Sequence, residues 1–134
     1  FRILPDVADA LIKCKEKGYL LIIITNQGGI ARGKYSLQDF YAVNEYMLEE
    51  LSKKNVKIDD WFFCPHHPEN GNCLCRKPES LLLERAAGKH NIALESSYFI
   101  GDKDRDVEAG KKAGVKTIKV DANSSLLLIL DQIS

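Results

Sequence analysis

Apolar residues recur along this chain in two alternating rhythms. Val7, Leu11 and Cys14 fall at i, i+4 and i+7, one face of a helix whose first turn accommodates Pro5 and which Gly18 ends. That spacing assigns Cys14 to the core. Tyr19–Ile24 follows as a nearly all-apolar, β-branched run, the composition of a strand covered on both faces in a parallel sheet, and it ends at Thr25. Ser36, with Asp39 three residues later, resembles a capping box, and Phe40, Val43, Met47 and Leu51 continue it as the core stripe of a second helix.

Beyond residue 60 the same alternation continues. Trp61–Phe63 reads as a short strand, Leu81–Lys89 as a helix with Gly88 near its end, and Ser97–Ile100 as a strand. A polar loop, Gly101–Asp106, leads to a helix over Val107–Ala113 closed by Gly114, a strand over Lys116–Val120 and a last helix over Ser124–Ile133. Strands alternating with helices imply right-handed βαβ units, hence an α/β fold with a Rossmann-like parallel sheet and ligands at the carboxyl ends of its strands. The 134 residues fit one domain, 1–134, without repeats, low-complexity tracts or linkers.

Composition narrows the function. At 45% hydrophobic and 28% charged residues the chain is too apolar to be disordered. Nineteen basic residues balance nineteen acidic ones, so no overall field draws it to nucleic acid or anionic lipid, and a small ligand is the expected partner. Its longest apolar run is far short of the ~20 residues of a membrane span, and nothing near Phe1 resembles a cleavable signal, so a cytoplasmic location is expected. The chain opens on Phe1 rather than methionine and runs almost at once into a helix, so a preceding segment is expected.

Four segments carry candidate chemistry. Thr25-Asn26-Gln27-Gly28-Gly29 leaves a buried strand with a hydroxyl, amides and unhindered backbone N–H groups suited to a phosphate oxygen, or forms a simple polar turn. Arg32 and Lys34 either add phosphate contacts or are solvated surface cations. Gly101-Asp102-Lys103-Asp104-Arg105-Asp106 brings three carboxylates to a strand end, where Mg²⁺ and substrate phosphate could share oxygen ligands; at least one of Asp104 and Asp106 is expected to cap the following helix. Arg76-Lys77-Pro78 sets two cations before a proline, one suited to a transferring phosphoryl group and the other to a second anionic or polyhydroxyl part of a substrate.

The sharpest signal is Cys64-Pro65-His66 followed by Cys73-Leu74-Cys75. Three thiolates and an imidazole make a closed tetrahedral Zn²⁺ set without an open position for an activated water, so the zinc is expected to be structural. The 64–75 loop has almost no apolar content of its own, and a metal staple answers that need. Free thiols in a surface loop are the alternative, His67 competes with His66 for the imidazole position, and His90 near a helix end is a solvated residue.

Together, Thr25-Asn26-Gln27, Lys77 and Gly101-Asp102 to Asp106 resemble the second, third and fourth motifs of the haloacid-dehalogenase (HAD) superfamily of phosphotransferases, in order and approximate spacing over essentially the whole chain. The Cys64-x-His66 and Cys73-x-Cys75 cluster running into Arg76-Lys77-Pro78 resembles that superfamily's zinc-loop branch, which acts on sugar bisphosphates and histidinol phosphate. The resemblance implies a three-layer α/β domain without a large cap. It implies that Thr25 and Lys77 stabilise the transferring phosphoryl group, that Thr25, Asn26, Gln27, Gly28, Arg76, Lys77 and Lys103 contact substrate, that Asp102 binds Mg²⁺ and that Asp106 supports the site from behind. A monomeric Mg²⁺-dependent phosphomonoesterase with structural Zn²⁺ follows, its substrate a heptose 1,7-bisphosphate. Histidinol phosphate is the alternative substrate, and a zinc-stapled phosphate-binding or scaffold domain the non-enzyme alternative. The superfamily's nucleophile is an aspartate in an Asp-x-Asp motif ahead of the first helix, with a second aspartate as acid and base. No Asp-x-Asp precedes the first helix here, so that strand and its nucleophile are expected upstream of Phe1.

Overall fold

A computed structural model of the protein describes residues 7–26, 30–65, 79–120, 129–130 and 132–133. Its elements run α1 (Val7–Glu16), β1 (Ile22–Asn26), α2 (Leu37–Lys53), β2 (Asp60–Cys64), α3 (Leu81–His90), a 3₁₀ turn at Leu94–Ser96, β3 (Tyr98–Gly101), α4 (Asp104–Ala113) and β4 (Lys116–Lys119). This is the alternating α/β order expected. β1 pairs with β2, and β3 pairs with β4 in parallel, Tyr98 opposite Lys116 and Gly101 opposite Lys119. Contacts divide the chain into two compact units: Phe1–Ile23 with Tyr35–Trp61 and Asn123–Ser134, and Ile24–Lys34 with Phe62–Ala122. No helix among the described residues is long and apolar enough to cross a membrane.

In the first unit, Ala10 and Cys14 lie on the buried face of α1, as their spacing predicts, and burial pushes the Cys14 thiol up despite the Lys17 charge. The Tyr19–Ile24 run is not strand throughout. Leu20 is 47% exposed and β1 starts only at Ile22, because the backbone of the buried Leu21 is taken up by Asp59. Leu21 N–H donates to Asp59 Oδ2 at 2.7 Å, Asp59 N–H donates to Leu21 O at 2.8 Å, and Lys15 Nζ lies 2.5 Å from the same carboxylate oxygen. Burial raises the Asp59 pKa, but the Lys15 ammonium and the Leu21 N–H outweigh it and hold the carboxyl below its usual range. Neither is β1 enclosed on both faces: Ile22 to Thr25 are all half-buried.

Helix α2 opens on the expected capping box, Asp39 N–H donating to Ser36 Oγ and Ser36 N–H to Asp39 Oδ2, both at 3.0 Å. Its core stripe is rotated from the expected one. Phe40 and Leu51 are buried, but Asn44 is buried while Val43 is 52% exposed. The Trp61 ring meets both Phe40 and Tyr41 edge-on, at 5.7 and 5.8 Å, while Tyr41 itself stays exposed. The expected helix Ser124–Ile133 lies outside the described residues as far as residue 128. Ile129, Leu130 and Gln132 have 3₁₀ geometry instead, and the Lys17 ammonium donates to the Leu130 and Ile133 carbonyls.

The second unit is organised around Ile24. This side chain packs against a buried pair, Cys64 and Leu82, with Phe62 and Leu81, and also against Leu83, Ala109 and Val115, with Leu94, Phe99 and Ala113. The end of β1 therefore shares one core with α3, α4 and β3. Helix α4 sits hard on the β3–β4 pair. A Cβ at Gly110 would come within 2.1 Å of Thr117 Oγ1 and 3.3 Å of Phe99 Cδ2, so only glycine allows that approach. Helix α4 also begins three residues earlier than its apolar pattern suggests, because acidic Asp104 and Asp106 suit its first turn.

Asp59→Ala should lower stability to urea by about 1–3 kcal/mol near neutral pH, since Leu21 N–H and Lys15 both lose their acceptor. The folded pKa of Asp59 is depressed, so its stabilisation is complete above the ordinary value of 3.8 and is lost as pH falls through the lower folded value. Unfolding curves of wild type and variant should therefore converge in acid; a difference that persists there would show that the carboxylate is not the cause.

Candidate active site

The described site residues expected from the sequence, Thr25, Asn26, Cys64, Asp102, Lys103 and Asp106, belong to one unit, Ile24–Lys34 with Phe62–Ala122. Thr25 and Asn26 are the last two residues of β1, one strand position beyond expectation, and Thr25 is half-buried. Gln27, Gly28 and Gly29 lie outside the described residues. The chain returns in a turn where Gly33 N–H donates to Ile30 O at 3.1 Å, and Ala31 N–H donates to Pro65 O at 3.2 Å. That second bond stitches the segment after Thr25 to the residue after Cys64. Arg32 and Lys34 are exposed on it.

Cys64 ends β2 with no solvent exposure, its thiol among Ile24, Phe62, Leu81 and Leu82. Of the expected zinc ligands it alone is described; His66, His67, Cys73 and Cys75 lie outside the described residues, as do Arg76, Lys77 and Pro78. No group of three or more metal-ligating side chains occurs among the described residues. Chemically, a thiol anchored in the core at the start of an apolar-poor loop fits the first ligand of a structural ion. Where the chain resumes, Glu79 pairs with Lys112 of α4 at 3.0 Å.

The Gly101–Asp106 segment separates its three carboxylates into three situations. Asp106 is buried at 4% exposure and folds back on the loop: its Oδ2 accepts from Lys103 N–H at 3.1 Å, while its own N–H donates to Lys103 O at 3.0 Å. Asp104 turns to β4, where Lys119 Nζ lies 2.8 Å from its Oδ1 and holds the carboxyl below its usual range. Asp102 is exposed in the loop, and among the described residues nothing hydrogen-bonds or ion-pairs with it. An oxygen donor so placed fits a hard cation such as Mg²⁺. Lys103, also exposed, is the residue immediately before α4.

Two parts of this arrangement were not legible in the pattern of residues. One is Gly101: a Cβ there would lie 2.4 Å from Asp106 Cβ and Oδ2, so the glycine is required by a carboxylate five residues later. The other is Lys119, which looks like an ordinary surface lysine until the parallel register places it opposite Gly101. Gly101→Ala should therefore expel the Asp106 carboxylate from Lys103 N–H. Expected results are a loss of about 1–3 kcal/mol in urea unfolding, as for overpacked sites, and faster hydrogen exchange at the Lys103 amide; unchanged exchange would mean that Asp106 does not order the loop.

Comparison with known proteins agrees with this geometry. A family model described as HAD-hydrolase-like matches residues 74–126. D-glycero-beta-D-manno-heptose-1,7-bisphosphate 7-phosphatase of Helicobacter pylori strain 26695 is 44% identical over 117 residues, 87% of this chain and 67% of the relative. D-glycero-alpha-D-manno-heptose-1,7-bisphosphate 7-phosphatase of Photorhabdus laumondii is 41% identical over 111 residues, 78% of this chain and 61% of the relative. Among solved structures, D,D-heptose 1,7-bisphosphate phosphatase from B. bronchiseptica, complexed with magnesium and phosphate, superposes with a TM-score of 0.79 at 30% identity, over 85% of this chain and 63% of that one. The chain thus spans about two thirds or less of the length of these relatives. With its α/β fold and its similarity to these enzymes, the chain belongs to the HAD-like phosphoric monoester hydrolases, in the family of the heptose-1,7-bisphosphate 7-phosphatases.

Proposed function

We propose that the full-length protein is a Mg²⁺-dependent phosphomonoesterase that releases one phosphate from D-glycero-D-manno-heptose 1,7-bisphosphate. The observation that carries this reading is the division of labour at the end of β3: Asp106 bonded to the loop backbone, Asp104 paired with Lys119, and Asp102 exposed for a cation. In our proposal Asp102 holds Mg²⁺, which when bound neutralises charge on phosphate oxygens. Thr25 and Lys77 donate to the transferring phosphoryl group; Asn26, Gln27, Gly28, Arg76 and Lys103 contact the rest of the substrate; and Asp106 fixes the loop that carries Asp102. The nucleophile is placed in an Asp-x-Asp segment preceding Phe1, within a single HAD-like domain.

Cys64, His66, Cys73 and Cys75 are proposed to bind one structural Zn²⁺. The buried, core-packed position of Cys64 supports this, because it would hold one end of the loop rigidly to α3. The proposed partner is a small phosphorylated sugar alone, met in the cytoplasm by a monomer without nucleic acid or membrane. Because relatives acting on either anomer are similar to this chain, the substrate class rather than the anomer is proposed.

A phosphate-release assay on full-length protein, comparing heptose 1,7-bisphosphate, fructose bisphosphate and histidinol phosphate, should favour the heptose. Preference for histidinol phosphate would overturn the substrate assignment. Asp102→Asn should raise the Mg²⁺ requirement and depress turnover, and Lys77→Ala should lower kcat by roughly 10²-fold or more, as for loss of a transition-state cation. A change confined to KM in the lysine variant would contradict that role.

Metal analysis of purified protein should give one equivalent of zinc, and Cys73→Ser should abolish it while leaving the parallel β3–β4 pair folded. Less than half an equivalent in wild type, or a disulfide between Cys64 and Cys73, would remove the zinc proposal.

A further inference from the structure

Lys119 is not among the residues assigned to the site, yet the fold delivers it there. Parallel pairing sets it opposite Gly101, and Val120 N–H donates to Gly101 O at 2.9 Å, so the carboxyl end of β4 is fixed beside the residue that precedes Asp102. From that position its ammonium reaches the first residue of α4, 2.8 Å from Asp104 Oδ1. Both side chains face water, with 53% of Lys119 and 89% of Asp104 exposed, so the pair adds little to folding stability. Its consequence is electrostatic. Three carboxylates lie within five residues of a loop that, on the proposed function, must admit a phosphate dianion. Asp106 is engaged by backbone N–H, Asp102 would be taken by the cation on that reading, and among the described residues only Lys119 opposes the charge of Asp104 at contact distance.

We propose that Lys119 is an affinity-determining residue that cancels the charge of Asp104 and so lets a phosphorylated substrate approach the Mg²⁺ position. The inference rests on the phosphatase reading of this same site. Removing the lysine would leave a carboxylate beside the site that repels phosphate but attracts a cation, and these two effects have opposite signs. A folding defect would weaken both ligands together.

The test is calorimetric titration of the full-length protein with Mg²⁺ alone and with inorganic phosphate in saturating Mg²⁺, at low and at high salt. In Lys119→Met, phosphate should bind about three- to tenfold more weakly at low ionic strength, with the loss shrinking as salt screens the charge, while Mg²⁺ binds as tightly as in wild type or more so. Lys119→Arg should retain phosphate affinity, and the double variant Asp104→Asn, Lys119→Met should recover it to within about twofold, because the uncancelled charge is gone. Phosphate affinity unchanged in Lys119→Met, equal weakening of Mg²⁺ and phosphate, or no recovery in the double variant would each overturn the inference. Wild type that binds phosphate and responds in this way, yet releases none from heptose bisphosphate, would support the role of Lys119 and defeat the substrate assignment instead.

Discussion

The contact on which the site depends is the carboxylate of Asp106 lying against Gly101 and the N–H of Lys103. A strand that ends directly above a helix must turn within two or three residues, and the first N–H groups of that helix have no partners inside it. Asp106 meets both demands. It satisfies the Lys103 N–H from one helical turn below, and it occupies the space a side chain at residue 101 would need. Asp102 is thereby left on an exposed loop whose two ends are held, one by the β3 ladder and the other by α4. Asp106, itself buried, in this way governs the position of the exposed Asp102.

The partner constraint is hydrophobic. Ile24 belongs to both apolar clusters of its unit, one formed with Cys64 and Leu82 and the other with Leu83, Ala109 and Val115. Thr25 is the next residue, Cys64 ends β2 and Ala109 lies on the helix that follows Asp102. One side chain thus couples three segments far apart in sequence, and the Ala31 to Pro65 hydrogen bond repeats the coupling through the backbone. Thr25, Cys64 and the helix after Asp102 are thus tied to the same packed residues.

Electrostatics here act on ligands more than on folding. The Asp104–Lys119 and Glu79–Lys112 pairs are exposed, and such pairs add at most about 1 kcal/mol to stability. Asp59 behaves differently because its carboxylate joins a half-exposed lysine to a backbone N–H at a buried leucine. It holds α1 and the approach to β1 together, whereas Asp104 pairs with Lys119 in solvent. The two aspartates have similar pairing chemistry, and burial separates their roles.

Local signals in the sequence determined the order of elements, the capping box at Ser36 and Asp39, and the burial of Cys14. They also singled out the short polar runs that follow strands, at Thr25 and at Gly101–Asp106, as candidates for chemistry, because spacing alone is informative there. The burial of Asn44 in place of Val43 in α2, and the late start of β1 beside Asp59, were invisible to apolar periodicity. Only tertiary structure showed what each of Asp102, Asp104 and Asp106 meets. Their difference lies in what stands opposite each: a backbone N–H for Asp106, a lysine on the neighbouring strand for Asp104, and open solvent for Asp102. Those partners are set by parallel register and helix entry, which are properties of the packed chain rather than of any run of residues within it.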